Sequence, residues 1–130
     1  MRAIDTNVVV RFLAGDDKQQ AKAARTAIEG SEIFIATTVI LESEWVLRSA
    51  YGFEPPQIAK GLRGLAGLPG ITVEEPLALA QALDWVEAGM DFADALHLAK
   101  AGECDAFLSF DRKLAKAAKG CATIPVLIPR

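Results

Sequence analysis

Short stretches of β-branched and aromatic residues alternate with longer helical patterns along the whole 130-residue chain. The stretches predict five strands, at residues 2–4, 33–36, 71–73, 106–110 and 124–128. Because strands that alternate with helices usually form a parallel sheet, we expect an α/β fold with helices flanking a central, mainly parallel sheet of about five strands. No linker or repeat interrupts the alternation, so we expect a single domain over residues 1–130.

Capping residues, prolines and glycines mark where the intervening helices begin and end. Helices are expected from Asp16 or Asp17 to Gly30, from Thr37 or Thr38 to about Ser49, from Pro55 through Leu65, from Leu79 to Gly89, and from Phe92 to Gly102. This places two helices between the early strands, which is more helix than a minimal βαβ crossover requires.

The charge balance argues against a simple nucleic-acid-binding module. The chain carries 14 Lys and Arg against 17 Asp and Glu, a formal net charge of −3. Proteins that hold nucleic acid mainly by neutralising phosphates are usually basic. Any activity on RNA therefore needs a metal ion that bridges carboxylates and phosphate, a local basic patch, or both.

Cysteine and histidine chemistry has little support in the sequence. Cys104 and Cys121 are too few for a disulfide framework and lack the close spacing of a zinc or redox motif. A nucleophile–histidine pair would have to use His97, the one histidine.

No apolar run approaches the ~20 residues of a membrane helix, and the first residues do not resemble a signal peptide. We therefore expect a cytoplasmic protein.

Two aspartates follow expected strands and precede expected helices. Asp5 comes after the first strand, and Asp111 comes after the fourth. Because ligands of open parallel sheets bind beyond the carboxyl ends of the strands, we expect both acids at that edge of the sheet. The alternative is that each aspartate only caps the helix that follows it.

Glu42 and Glu44 lie on the same expected helix, and they call for different explanations. The neighbours of Glu42 one turn away are mostly apolar, so we expect it to be a buried carboxylate that needs a partner. Glu44 has Arg48 four residues later and can pair with it on the helix surface. We therefore assign Glu42, rather than Glu44, to the candidate site.

Asp91 and Asp94 stand one turn apart on the helix expected at Phe92. Asp91 is well placed to cap this helix. Asp94 is expected inside the helix, where aspartate is a poor helix former, so its presence asks for a functional reason. His97 lies three residues further on, and it is either beside the site or a partly buried structural histidine.

Carboxylates that are brought into one crevice repel each other unless some of them bind protons or a cation. Oxygen ligands suit hard divalent ions such as Mg²⁺ or Mn²⁺. Such an ion can activate a water molecule and stabilise the charge on a transferring phosphoryl group. The pattern of acids therefore indicates metal-dependent chemistry on a phosphate ester.

Four segments carry a resemblance to a known family: Ala3–Asn7, Val39–Leu47, Asp91–His97 and Leu108–Lys113. Any one of them is weak, but they follow one another in the family's order over nearly the whole chain. Together they resemble the PIN-domain nucleases, particularly the VapC-type toxins of bacterial toxin–antitoxin pairs. The resemblance implies a PIN-like fold, a parallel sheet flanked by helices, and endonucleolytic cleavage of RNA with Mg²⁺ or Mn²⁺.

The resemblance also implies an acidic quartet of catalytic residues and metal ligands: Asp5, Glu42, Asp94 and Asp111. Asn7 and Ser109 fall at positions that usually support the quartet by hydrogen bonding, with serine where threonine is frequent. In the implied mechanism, the three aspartates ligate one Mg²⁺ directly or through water. The glutamate positions or deprotonates the attacking water, or binds a second ion.

Three cationic residues are candidate phosphate contacts in this mechanism: Arg48, Arg112 and Lys113. The alternative for each is a solvated surface cation. The resemblance also bears on partners and on physiological role. Toxin members usually form homodimers and are silenced in a complex with an antitoxin protein whose tail blocks the site. Other members act as housekeeping nucleases in RNA processing.

Three other classes share part of this pattern. A haloacid-dehalogenase-like phosphatase also begins with a strand and an aspartate, but it needs a second aspartate where this chain has Asn7. A response-regulator receiver domain expects an early acidic pair and a lysine at a late strand end, which we do not find. A non-catalytic binding module is the third alternative, although the intact quartet argues against a loss of activity.

Overall fold

The computed structural model describes residues 1–130 and confirms the α/β class. The helices are α1 (Thr6–Ala14), α2 (Lys18–Glu29), α3 (Thr37–Ser49), α4 (Pro55–Ala66), α5 (Pro76–Glu87), α6 (Phe92–Lys100) and α7 (Arg112–Ala118). The strands are β1 (Arg2–Ala3), β2 (Ile33–Ile35), β3 (Ile71–Val73), β4 (Phe107–Leu108) and β5 (Val126–Leu127). All five expected strands are present. No helix combines the length and the apolar character that crossing a membrane requires.

Every strand pair is parallel, as expected. β2 lies between β1 and β3, with Phe34 opposite Ala3 on one side and opposite Thr72 on the other. β4 pairs with β5, with Phe107 opposite Val126. The hydrogen bonds form one ladder of three strands and one of two, where we expected about five strands in one sheet. Strands of two or three residues offer few backbone groups for pairing, which keeps the ladders short.

The chain divides into two compact units, Met1–Pro76 and Leu77–Arg130. The first unit contains the three-stranded ladder and helices α1 to α4, and the second contains the two-stranded ladder with α6 and α7. The assignment of a single domain to residues 1–130 stays a prediction.

The core of the first unit surrounds β2. Ile33 and Ile35 are fully buried on this strand. On α4, residues Ile58, Leu62 and Leu65 recur at helical spacing, and all three are buried. Each such side chain stabilises the fold by about 1.5–3 kcal/mol through removal of its surface from water. In the second unit the buried stripes lie on α5 and α6.

Helix ends mostly follow the expected signals. Asp17 caps α2 by accepting a hydrogen bond from the N–H of Gln20, and prolines open α4. The expected threonine cap of α3 is wrong, because Thr37 is already helical and Ala36 is the capping residue. The carboxylate of Glu74 accepts the N–H of Thr37 instead, at 2.9 Å. A donor and acceptor 37 residues apart could not be paired from local sequence.

Candidate functional site

Asp5 lies at the end of the first strand and begins the first helix. Its Oδ1 accepts a hydrogen bond from the N–H of Val8 at 3.2 Å, so Asp5 is the N-cap of α1. The cap that we considered as an alternative role is therefore present. The side chain is also exposed, and the capping bond uses one of its two carboxylate oxygens. The second oxygen is free to bind a ligand while the cap is kept.

Glu42 is tied to the residue that follows Asp5. The hydroxyl of Thr6 donates to Oε1 of Glu42 at 2.5 Å, which joins the start of α1 to the middle of α3. Glu42 therefore contacts the residue that follows Asp5, and we call Asp5 and Glu42 the first acid pair. The sequence did not identify Thr6 as a residue of the candidate site. The one indication was its position directly after an aspartate at the end of a strand.

Our reason for choosing Glu42 over Glu44 is wrong. Glu42 is exposed and its neighbour Trp45 is 58% exposed, whereas Glu44 is only 5% exposed. The buried face of α3 holds Ile40, Ser43, Glu44 and Leu47. The apolar residues around Glu42 predicted burial incorrectly, because the large side chain of Trp45 lies on the solvent side of α3. Glu42 is accessible to a ligand, and Glu44 is not.

The predicted pairing of Glu44 with Arg48 is confirmed, although Glu44 is buried rather than on the helix surface. The Nε of Arg48 donates to Oε2 of Glu44 at 2.8 Å, and its Nη2 reaches Oε1 at 3.4 Å. A buried carboxylate needs such a partner, so this pair explains Glu44 without a catalytic role. The guanidinium of Arg48 is already engaged, and its role as a phosphate contact stays a prediction.

Asp111 follows the fourth strand and caps α7. Its Oδ1 accepts from the N–H groups of Lys113 and Leu114, each at 3.0 Å. The hydroxyl of Ser109 accepts from the N–H of Asp111 at 3.0 Å, which fixes the backbone at this position. Ser109 therefore contacts the backbone of Asp111, and its support of the quartet stays a prediction. As with Asp5, capping leaves the other carboxylate oxygen of Asp111 available.

Asp94 belongs to the first turn of α6 rather than to its interior. Asp91 caps this helix, as expected, because its Oδ2 accepts from the N–H of Asp94 at 3.1 Å. An acid in the first turn is favoured by the helix dipole, so the argument that Asp94 is unusual on propensity grounds is wrong. Its surroundings are a better reason to assign it a function.

Asp94 and Asp111 line one cavity, and we call them the second acid pair. The cavity has a volume of about 220 Å³, and its polar lining also includes Asp91 and Lys113. The pKa of Asp94 is raised above its ordinary value by burial, then by the charges of Asp91 and Asp111. The carboxylates of this cavity thus repel each other, which is the condition that a bound cation relieves.

His97 lies closer to this chemistry than its expected structural role implied. It is exposed rather than partly buried, and its charge slightly offsets the rise in the pKa of Asp94. Asn7 is exposed on α1, where it lines a cavity between α1 and α2 together with Arg11 and Gln20. Its support of the acids stays a prediction.

The donor chemistry of the second acid pair fits a hard divalent cation. No three Asp, Glu, His or Cys side chains converge closely enough to form a complete cage. Mg²⁺ does not need such a cage, since it is usually held by one or two carboxylates together with water and substrate phosphate. Asp94 and Asp111 supply two carboxylates in one cavity, and the mutual repulsion there favours a cation.

Comparison with protein families gives one match that spans most of the chain. The model of the PIN domain matches residues 3–120. The matched segment includes the first acid pair, the second acid pair and Ser109. Comparison with curated proteins finds no match. A nuclease fold accounts for the strand-end aspartates and for the parallel ladders. A family match over this length shows that the chain belongs to the PIN-domain family.

Proposed function

We propose that this protein is a metal-dependent endoribonuclease that hydrolyses phosphodiester bonds in RNA. Its catalytic residues are the first acid pair, Asp5 and Glu42, and the second acid pair, Asp94 and Asp111. The observation that carries the proposal is the cavity in which Asp94 meets two further carboxylates and has a raised pKa, in a chain of a nuclease family. Perturbed carboxylates in a cavity are typical of functional sites.

Asp94 and Asp111, which line one cavity, would hold the cation, and Mg²⁺ or Mn²⁺ both suit carboxylate ligands. When bound, the ion supplies activation of water and stabilisation of phosphoryl charge. Glu42 is exposed and oriented by the Thr6 hydroxyl, so it can accept a proton from the attacking water. Lys113 lines the cavity of the second acid pair and is a candidate contact for the phosphate.

The direct test is cleavage of labelled single-stranded RNA by the purified protein with Mg²⁺, with Mn²⁺ and with EDTA. We expect internal cleavage that needs the ion and that disappears in Asp5→Asn. Asparagine can still accept the N–H of Val8, so this variant removes charge and keeps the helix cap. A phosphomonoester in parallel reactions serves as a control for phosphatase activity. Cleavage that persists in EDTA, or in Asp5→Asn, would contradict the proposal.

We further propose that the nuclease acts as the toxin of a toxin–antitoxin pair, as a homodimer that a cognate antitoxin silences. Its support is the likeness of the four motif segments to VapC-type toxins. Expression of the chain alone in a bacterial host should arrest growth, and Asp5→Asn should relieve the arrest. Normal growth with active, RNA-cleaving protein would favour the alternative, a housekeeping RNA-processing nuclease. Light scattering of the purified protein tests the dimer.

A further inference from the structure

A groove in the second unit carries four cationic side chains and no acidic side chain. It has a volume of about 740 Å³ and lies between α7 and β5. Its cationic residues are Arg112, Lys116, Lys119 and Arg130. The formal net charge of the whole chain is −3, so this accumulation of positive charge is a local feature. It indicates a binding site for an anion.

Three of the cations form a row along α7, with Lys119 as the C-cap of this helix. Arg112, Lys116 and Lys119 are separated by four and then three residues, a spacing that places side chains on one face. With a rise of 1.5 Å per residue, the row is about 10 Å long. In a duplex, each nucleic acid strand carries one phosphate about every 3.4 Å of axis, and an extended single strand carries fewer, so the row can contact about two or three phosphates. A linear polyanion matches this arrangement better than a compact anion does.

The opposite wall of the groove is apolar. It is formed by Val126, Leu127 and Ile128 on and after β5, and Leu127 is 49% exposed. An exposed apolar strand opposite a row of cations suits a ligand with charge on one side and flat apolar surface on the other. A single nucleic acid strand has this form, since its phosphates and its base faces point in different directions.

Helix α7 separates the groove from the cavity of the second acid pair. Arg112 lines the groove, whereas the preceding Asp111 and the following Lys113 line the acidic cavity. A strand lying in the groove would therefore pass the first turn of α7 to reach Asp111. This closeness of the groove to Asp111 favours the RNA substrate over an acidic segment of a protein partner as the occupant.

We infer that the groove holds the backbone of single-stranded RNA beside the bond that is cleaved. This inference rests on the proposed ribonuclease function and names a substrate-binding surface for it. The cations neutralise phosphates, and the apolar wall contacts ribose and base faces without reading the base sequence. The groove thus supplies the local basic patch that an acidic chain needs for binding RNA.

The test is salt-dependent binding of a labelled single-stranded RNA oligonucleotide, measured by fluorescence anisotropy in EDTA. All proteins carry Asp94→Asn, which prevents cleavage. Lys116→Gln together with Lys119→Gln should weaken binding about tenfold at low salt and lower the slope of log K against log salt by about 1.4, or 0.7 for each lost phosphate contact. Arg130→Gln, outside the helix, should lower the slope by about 0.7.

The matched control is Lys18→Gln together with Lys22→Gln on α2. Both lysines are exposed, and the control removes the same charge from a helix of the first unit. It should leave the salt slope unchanged, and melting curves should show that all variants fold. An unchanged slope in the groove variants, or an equal loss in the control, would overturn the inference.

Two further outcomes separate the inference from its alternatives. A poly-glutamate peptide tests for an acidic protein partner, and loss of peptide binding with RNA binding intact would also overturn the inference. Because binding is measured without metal and without cleavage, it does not depend on the proposed activity. Groove-dependent RNA binding by a wild-type chain that cleaves no RNA would support the groove and contradict the nuclease.

Discussion

The first acid pair and the second acid pair meet different neighbours. The first is held by uncharged donors, the N–H of Val8 and the hydroxyl of Thr6. The second shares its cavity with Asp91, and burial and neighbouring carboxylates raise the pKa of Asp94. Burial and neighbouring carboxylates therefore disfavour the charged form of Asp94. A cation bound at the second pair would relieve this repulsion, whereas hydrogen bonds orient the carboxylates of the first pair.

The largest predicted effect is a difference in RNA cleavage between substitutions at Asp94 and at its neighbour Asp91. Asp94→Asn should lower the rate of RNA cleavage about a hundredfold or more, because a neutral amide would hold the divalent cation weakly, and the cation stabilises the charge on the phosphoryl group. Asp91→Asn should stay within about threefold of wild type, since asparagine also caps the helix. Initial cleavage rates with Mg²⁺ measure both variants. Equal losses in the two variants would contradict the separate roles of cap and ligand.

Metal binding should stabilise the protein through the second acid pair. At a hundredfold excess of Mg²⁺ over its dissociation constant, the gain is about 2.7 kcal/mol. For a domain of this size it corresponds to a rise in Tm of roughly 10 °C. Thermal melts at neutral pH, with EDTA and with Mg²⁺, measure the shift in wild type and in Asp94→Asn. An identical shift in both proteins would show that Asp94 does not hold the ion.

The pH dependence of the metal-free protein follows from the same repulsion. The pKa of Asp94 is raised above its ordinary value of 3.8, so the folded state binds more protons than the unfolded state above that pH. The contribution of Asp94 to stability is therefore most favourable below pH 3.8, and it is lost as pH rises through the raised pKa. Asp94→Asn should remove this loss. Melts of both proteins in EDTA across this range test the sign.

The next predicted effect is that substitution of Glu42 lowers activity, whereas substitution of Glu44, on the same helix α3, lowers stability. Glu42→Gln should lower cleavage about tenfold to a hundredfold, as expected for a proton acceptor, with little change in Tm. Glu44→Gln should retain most of the activity but lower the free energy of unfolding by about 1–3 kcal/mol, because it weakens the pairing of a buried group with Arg48. Cleavage rates and urea unfolding distinguish the two. The reverse pattern would assign catalysis to Glu44.

Sequence patterns predicted the elements of this fold better than the environments of its side chains. The five strands, the caps at Asp17 and Asp91 and the Glu44–Arg48 pair all depend on neighbours within a few residues, which a sequence displays directly. The prediction that Glu42 is buried was wrong, because burial depends on which side of α3 packs against the core. Trp45 counts as apolar in a pattern, yet it lies on the solvent side.

The supporting contacts were missed for a related reason. Glu74 reaches the start of α3, and Thr6 reaches Glu42, across 37 and 36 residues of chain. Such pairs are formed by tertiary packing, and neither residue type is distinctive enough to be noticed alone. The basic groove was also missed, because Arg130 joins the row on α7 only once β5 is in place.

The smallest effect concerns the Thr6 hydroxyl, which distinguishes the first acid pair from the second. If Thr6 orients Glu42, Thr6→Val should lower kcat about fivefold, corresponding to about 1 kcal/mol for one hydrogen bond, with KM little changed. Thr6→Ser keeps the hydroxyl and should restore the rate. In a Glu42→Gln background, Thr6→Val should have almost no further effect, since the residues act as one unit. Additive losses in this double-mutant cycle would show that Thr6 supports only the helix and not Glu42.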